Sequence, residues 1–458
     1  MTELWELSGA EAVRAVATGR ATVGEIAGAA IGRAADIDGD LGAWRARDDA
    51  AVAARAKQLD ECPGGPLTGL LVGVKDVIDT ADLPTGYGSE LFDGHQPEAD
   101  AAAVATLRGA GALVLGKTET TEFAMFRPTR TRNPVDPGRT PGGSSSGSAA
   151  AVASGMAPVA LGTQTAGSVL RPAAYCGVYG YKPARGWTST AGIWRLAEHL
   201  DTLGLFARRA ADLALLYGAL AGAAGAGAHG APMPLTVRPT LRPGAPGRVA
   251  LLDTADWAAV DGDVTDALGH VADRLADAGW AVEAMKMPAS WRSLPGLQEA
   301  IMAVEVAHNL RAALGCRVDL VSDAARAIVE RGDATPAPSY LAALDAVATA
   351  VATAAALGEQ FDLLLCPSAC GVAPRGLAST GDPVLCRPAT VLGLPAVNLP
   401  YARRRDGLPV GVQALAPRAD DPAFLADLVT IEAAFPAAEV APLAHPALAA
   451  DPSDQKGT

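Results

Sequence analysis

The chain has 458 residues, half of them hydrophobic and 19% charged, with a net charge of −13. That length supports a large core, and the acidic balance argues against a nucleic-acid-binding surface, which would need clustered Lys and Arg. The opening MTELWELSGAEAVRAVATG lacks a basic start followed by an apolar stretch, and no uninterrupted apolar run reaches about 18 residues, so neither a signal peptide nor a membrane span is expected and the location is read as cytoplasmic.

In chain order, residues 8–60 read as two helices. SGAEAVRAVATG opens with Ser8 and carries Glu11 three positions on, the capping-box spacing, and 47–60, RDDAAVAARAKQLD, is strongly helix-forming. LLVGVKDVID then reads as a strand bounded by Gly69 and the turn-rich ADLPTGYGSE. A helix over 99–110, the short strand GALVLGK and a helix over 119–126 follow. Residues 127–147, dense in Pro, Gly, Thr, Asn and Ser, read as loop. A small-residue helix over 146–156 leads to a strand near 157–162 and a second serine loop.

From 221 to 247 the sequence is rich in Gly, Pro and Ala and reads as a long surface connection. RVALLD, a helix over 262–278 and WAVEAMKMP form a β-α-β unit. Helices continue to about 360, FDLLLCP and PVGVQAL are apolar strands, and a last helix lies near 421–434. Alternating strands and helices imply one large α/β domain, a mostly parallel sheet with helices on both faces. The terminal DPSDQKGT reads as a disordered tail.

The chemistry concentrates in PGGSSSGSAAAVASGMAPVALGTQTAGSVLRPAAYCG, residues 141–177. Ser144 and Ser168 each sit among small residues, where backbone can approach a ligand closely. In GTQTAGS successive N–H groups can share one concavity, as an oxyanion hole requires. Upstream, strand alternation puts Lys75 on the face of Leu71, Gly73 and Val77. A lysine buried there has its pKa pushed down and can serve as a neutral general base. Taken alone, Lys75 reads better as an edge-strand lysine reaching solvent or pairing with Asp76; the serine loops reverse that preference. PGGSSSGS lacks the Gly-Lys-Ser/Thr ending of a phosphate-binding loop. The six histidines are dispersed, with no Ser–His–Asp arrangement. Cys62, Cys176, Cys316, Cys366, Cys370 and Cys386 read as thiols rather than disulfides or a metal site.

The blocks GVKDVID, GAGALVLGKTETTEFA, TRNPVDPGRTPGGSSSGSAAAVASG, GTQTAGSVLRPAAYCGVYGYKP and DTLGLFARRAADLALLYGAL together resemble the amidase signature family, in the order that family shows them. The resemblance implies a mixed, mostly parallel sheet in one amidase domain over 1–447, with a signature core at about 70–220, a variable pocket region at about 225–355, and 448–458 as tail. It implies a Ser-Ser-Lys triad of Lys75, Ser144 and Ser168, with Ser168 the nucleophile, and a cis peptide between Gly143 and Ser144. The backbone of Thr165, Ala166, Gly167 and Ser168 would form the oxyanion hole, and Met125, Phe126 and Gly143 would line the substrate pocket. No metal and no cofactor is implied.

The implied activity is hydrolysis of a carboxamide C–N bond in a small-molecule amide through an acyl-enzyme, with a homodimer left open and no nucleic-acid or membrane partner. The alternatives are the glutaminase-type subunit of a transamidase and a catalytically inactive binding member. Three departures from the common GTDTGGSIRxPA wording stand beside the nucleophile: Gln164, Ala166 and the pair Leu170-Arg171. The last moves a positive charge by one residue, and these departures together with those in 187–194, WTSTAGIW, disfavour the tRNA-linked subunit.

Overall fold

The computed structural model describes residues 3–221 and 246–436; the Gly/Pro-rich connection and the expected tail at 448–458 lie outside them. Among the described residues the strands are β1 Trp44–Ala46, β2 Leu71–Lys75, β3 Leu113–Thr118, β4 Val159–Gln164, β5 Tyr179–Lys182, β6 Thr202–Ala207, β7 Arg248–Leu252, β8 Ala281–Met285, β9 Leu363–Pro367, β10 Ala396–Arg403 and β11 Pro409–Leu415. They form one sheet in the order β1-β3-β2-β4-β6-β5-β10-β11-β9-β7-β8. Strands on both sides of the 222–245 connection share that sheet, so the chain folds as a single α/β domain.

The sheet is mixed, but it is not mostly parallel. Parallel pairs lie toward its two ends, β3-β2-β4 and β9-β7-β8, while β4 through β9 pair antiparallel. The reason lies in two strands that the helix–strand alternation does not announce. TLGLFA (β6) inserts between β4 and β5, antiparallel to both. AVNLPYAR (β10) is joined to β11 by a short turn, and two strands so joined can pair only antiparallel.

Local signals explain most helices. Ser8 and Glu11 make both capping-box hydrogen bonds at the start of Gly9–Ala17. A further helix, Val23–Leu41, was not expected because four glycines interrupt it. Thr22 and Glu25 cap it in the same way, and it buries Val23, Ile26, Ala27, Ala30 and Ala34 along one face. Where a helix was expected over 119–126 there is only one 3-10 turn, Glu122–Ala124, with Phe123 and Ala124 at positive φ.

The helix Ala337–Gly358 is long and apolar enough to cross a membrane by length and composition, although Asp345 interrupts its sequence. It buries Ala343, Val347, Ala350, Ala354 and Gly358 within the domain.

Candidate active site

The adjacent parallel strands β2 and β4 bring two candidate groups together at their C-terminal ends. Lys75 closes β2, and Thr163 lies near the end of β4 beside it. Lys75 has no solvent exposure. Its Nζ lies 2.7 Å from Ser144 Oγ and 2.8 Å from Thr163 Oγ1. No carboxylate comes within salt-bridge distance of it among the described residues; Asp76 instead pairs with Lys117 at 3.3 Å. Burial holds the Lys75 ammonium well below its ordinary pKa, with the Asp201 carboxylate opposing the shift.

Ser144 follows the cis peptide Gly143–Ser144 and is fully buried just before the helix Ser146–Ala153. Gly143 allows a close approach there, since a Cβ would meet Thr380 Cγ2 at 2.8 Å. The structure therefore brings two of the three expected residues into direct contact. Ser168 stands at the mouth of the next loop, 7% exposed, and Ser145 N–H donates to its carbonyl at 3.4 Å. Its Oγ makes no hydrogen bond among the described residues, so the structure does not bring it into contact with Ser144 Oγ.

The 165–168 turn is held from outside and leaves its own donors free. The main-chain N–H groups of Ala166, Gly167 and Ser168 have no acceptor among the described residues. Ala166 keeps a negative φ, so its replacement of a glycine is tolerated. Gly167 is required by packing, because a Cβ would sit 2.9 Å from both Cys386 Cβ and Pro383 Cβ. Gln164 Oε1 accepts from Val169 and Leu170 N–H at 2.8 and 3.0 Å, and its Nε2 donates to Thr390 Oγ1 at 2.9 Å. Thr390 Oγ1 in turn donates to Ala166 O at 2.7 Å, and Gln298 Nε2 to Thr165 O at 2.8 Å.

Asp201 flanks the turn from the other side. It accepts from Thr165 Oγ1 at 2.5 Å and from Leu196 and Ala197 N–H at 2.8 and 2.9 Å, and burial pushes its carboxyl up to about 6. A cavity of about 610 Å³ opens beside Thr163, Thr165 and Asp201, walled in part by Ala124 and Trp194.

Met125, Phe126 and Gly143 do not line that cavity; Ala124 does, and Met125 is buried in the main core. Low aromatic content gave no hint of a stacking wall, yet Phe123 stacks on Trp194 at 4.9 Å, with Tyr87 at 4.8 Å and Phe92 at 5.6 Å from the same indole. Thr163, Gln298 and Thr390 escaped the sequence reading. Only Thr163 had a signal in the sequence, lying in the same GTQTAGS run as Ser168.

A family model described as Amidase matches residues 25–425. A glutamyl-tRNA(Gln) amidotransferase subunit from Thermus thermophilus is 37% identical over 92% of this chain and 95% of its own length. Among solved structures, a chain of a vestigial protein complex that reveals the evolutionary origins of an s-triazine catabolic enzyme superposes with TM-score 0.85 at 28% identity, covering 94% of this chain and 99% of that one. 6-aminohexanoate cyclic dimer hydrolase complexed with substrate superposes with TM-score 0.82 at 25% identity, covering 95% and 98%.

Proposed function

The chain belongs to the amidase family, and from that premise we propose that it cleaves a carboxamide C–N bond through an acyl-enzyme on Ser168. The observation that carries this reading is the environment of Lys75: a fully buried amine with two hydroxyl partners and no carboxylate within salt-bridge distance among the described residues. A buried ammonium without a counter-ion is costly, whereas a neutral amine is not. As a neutral amine, Lys75 donates to Thr163 Oγ1 and turns its lone pair toward Ser144. Ser144 passes a proton to it while taking one from Ser168.

Ser168 Oγ then forms a bond to the amide carbon, and the oxyanion falls to the unpaired N–H groups at 166–168. The proton returns along the same relay to the leaving nitrogen as the C–N bond breaks. Water repeats the attack on the ester and releases the carboxylic acid. The substrate enters through the cavity beside Thr165 and Asp201.

A second reading shares every step up to amide cleavage and differs in the fate of ammonia, which passes to a partner protein instead of to solvent. It is favoured by the Thermus thermophilus relative, an amidotransferase subunit that matches nearly the whole chain. The hydrolase among the solved structures favours the first. The test is ammonia release by the purified chain from aliphatic, aryl, peptidyl and urea-type amides and from glutamine, with a fluorophosphonate to trap the nucleophile. Release by the chain alone, with the adduct on Ser168, supports hydrolysis. Release only when a partner is supplied supports the transamidase reading, and stoichiometric labelling elsewhere with Ser168 untouched overturns both.

A further inference from the structure

We propose that Glu305 is a positioning residue for this reaction: it pins the segment 196–201 against the helix Leu294–Leu314, and through Asp201 that segment fixes Thr165 at the head of the 165–168 turn. This rests on the amide-cleaving reading above and adds a residue to its machinery. Glu305 lies in the middle of the helix and is 8% exposed. His199 N–H donates to its Oε2 at 3.0 Å, and His199 Nδ1 lies 2.6 Å from its Oε1. Tyr340, from the helix Ala337–Gly358, donates its hydroxyl to the same Oε1 at 2.7 Å. No lysine or arginine comes within salt-bridge distance of Glu305 among the described residues.

The rest of the helix makes this residue conspicuous. It buries Leu294, Ile301, Met302, Val306 and Leu310 in the main core. A polar side chain among them is costly unless it is hydrogen-bonded. Gln298, Glu305 and Asn309 each meet that requirement on a main-chain group of the site. Gln298 Nε2 donates to Thr165 O at 2.8 Å, Glu305 accepts from His199 N–H, and Asn309 Nδ2 donates to Leu196 O at 3.1 Å. Spacings of seven and then four residues keep the three on one face. One helix face therefore holds both of the segments that meet at Asp201.

The second segment closes on itself. Leu196 and Ala197 N–H donate to Asp201 Oδ2, and Asp201 N–H donates to Ala197 O at 2.8 Å. Glu305 grips His199 inside that closed turn. Asp201 Oδ1 in turn accepts from Thr165 Oγ1. A turn that shifts therefore moves Thr165, and with it the free N–H groups of 166–168 that the proposed mechanism gives to the oxyanion. Those donors work only at roughly 3 Å from the developing charge. Glu305 does not line the cavity, so its influence on the reaction passes through Asp201.

The experiment measures kcat and KM for Glu305→Leu, Glu305→Gln, Asp201→Asn and the Glu305→Leu/Asp201→Asn double variant, on the amide of the panel above that releases ammonia fastest. It also follows hydrogen exchange in peptides spanning 163–171 and 194–203. Glu305→Leu should lower kcat roughly 10- to 100-fold, with KM within about threefold of wild type. Glu305→Gln keeps an acceptor for His199 N–H and should restore most of kcat. In the Asp201→Asn background the link to Thr165 is already weakened, so Glu305→Leu should cost no more than about threefold. Exchange should quicken in both peptides of Glu305→Leu. If that variant does not fold, His199→Ala removes the 2.6 Å contact from a half-exposed residue and carries the same test, with an expected loss of roughly three- to tenfold. Unchanged kcat in whichever variant folds, or an undiminished loss in the Asp201→Asn background, overturns the proposal and leaves the amidase reading intact. So does exchange that quickens in 194–203 alone. If no amide is cleaved, the amidase reading fails by itself, and exchange in both peptides still sustains the link from Glu305 to the turn.

Discussion

Lys75 and Lys117 lie on the adjacent strands β2 and β3, both without solvent exposure, yet among the described residues only Lys117 has a carboxylate within salt-bridge distance, Asp76 Oδ1 at 3.3 Å. Lys117 also donates to Ile78 O at 2.7 Å and to Thr85 Oγ1 at 2.5 Å, the dressing of a structural ammonium. Lys75 faces two hydroxyls instead. Burial lowers both lysines, but only Lys117 has an adjacent anion to hold its proton. The same residue type on neighbouring strands thus meets two different sets of partners.

Ser168→Ala removes one oxygen from a loop held by other residues, so the fold should persist to within about 0.5 kcal/mol while kcat for amides falls by roughly 10⁴-fold or more. Thermal unfolding and ammonia release on the same preparation check this. A variant that keeps substantial turnover moves the nucleophile elsewhere.

Thr163→Val keeps the shape of the side chain but removes the second acceptor for Lys75 Nζ. The amine then loses the bond that aims it at Ser144, and kcat should drop roughly tenfold with little change in KM, the equivalent of about one hydrogen bond. Thr163→Ser keeps the acceptor and should restore most of the rate. Equal losses in both variants would reduce Thr163 to a packing residue.

Gln164→Leu leaves Val169 N–H, Leu170 N–H and Thr390 Oγ1 without their partner. Stability should fall by about 1–3 kcal/mol. In the proposed mechanism the loosened turn supplies the oxyanion donors, so kcat should fall roughly 10- to 100-fold. Denaturant unfolding and steady-state kinetics separate the two effects, and a stability loss with unchanged kcat would show that the brace serves folding alone.

Much of this site is legible in the sequence, and the illegible parts share a cause. Lys75, Ser144 and Ser168 stand out because a lysine in an apolar strand and serines among glycines are chemically conspicuous at short range. The cis bond at Gly143–Ser144 falls where the family resemblance puts it. What sequence cannot show is contact across the fold. Thr390 and Gln298 reach the turn from 226 and 133 residues away along the chain, and nothing local marks them. β6 and β10 were unread for a related reason: TLGLFA and AVNLPYAR are strands made by pairing on both sides.

Asp201→Asn tests the electrostatics in a definite direction. The Asp201 carboxylate favours the charged form of Lys75. Removing its charge should lower the Lys75 pKa further, so the acid limb of kcat/KM moves to lower pH. The difference from wild type should shrink below about pH 6, where Asp201 itself becomes protonated. The position of the limb, rather than the height of the profile, is the readout, since Asn also changes the bond to Thr165. A limb that moves to higher pH contradicts the assignment.

The most direct measurement is the pH dependence of kcat/KM for wild type and Lys75→Arg on a matched amide and ester. Burial lowers Lys75 well below its ordinary range, and the proposed mechanism uses its neutral form, so wild-type activity should rise with pH through an apparent pKa well under that of a free lysine. Lys75→Arg keeps the charge and cannot deprotonate, so amide turnover should be nearly lost and the rising limb should vanish. The ester should suffer less, because its leaving group needs little proton donation. A folded Lys75→Arg enzyme with near-wild-type amide turnover and the same acid limb would contradict the assignment of Lys75 as the base.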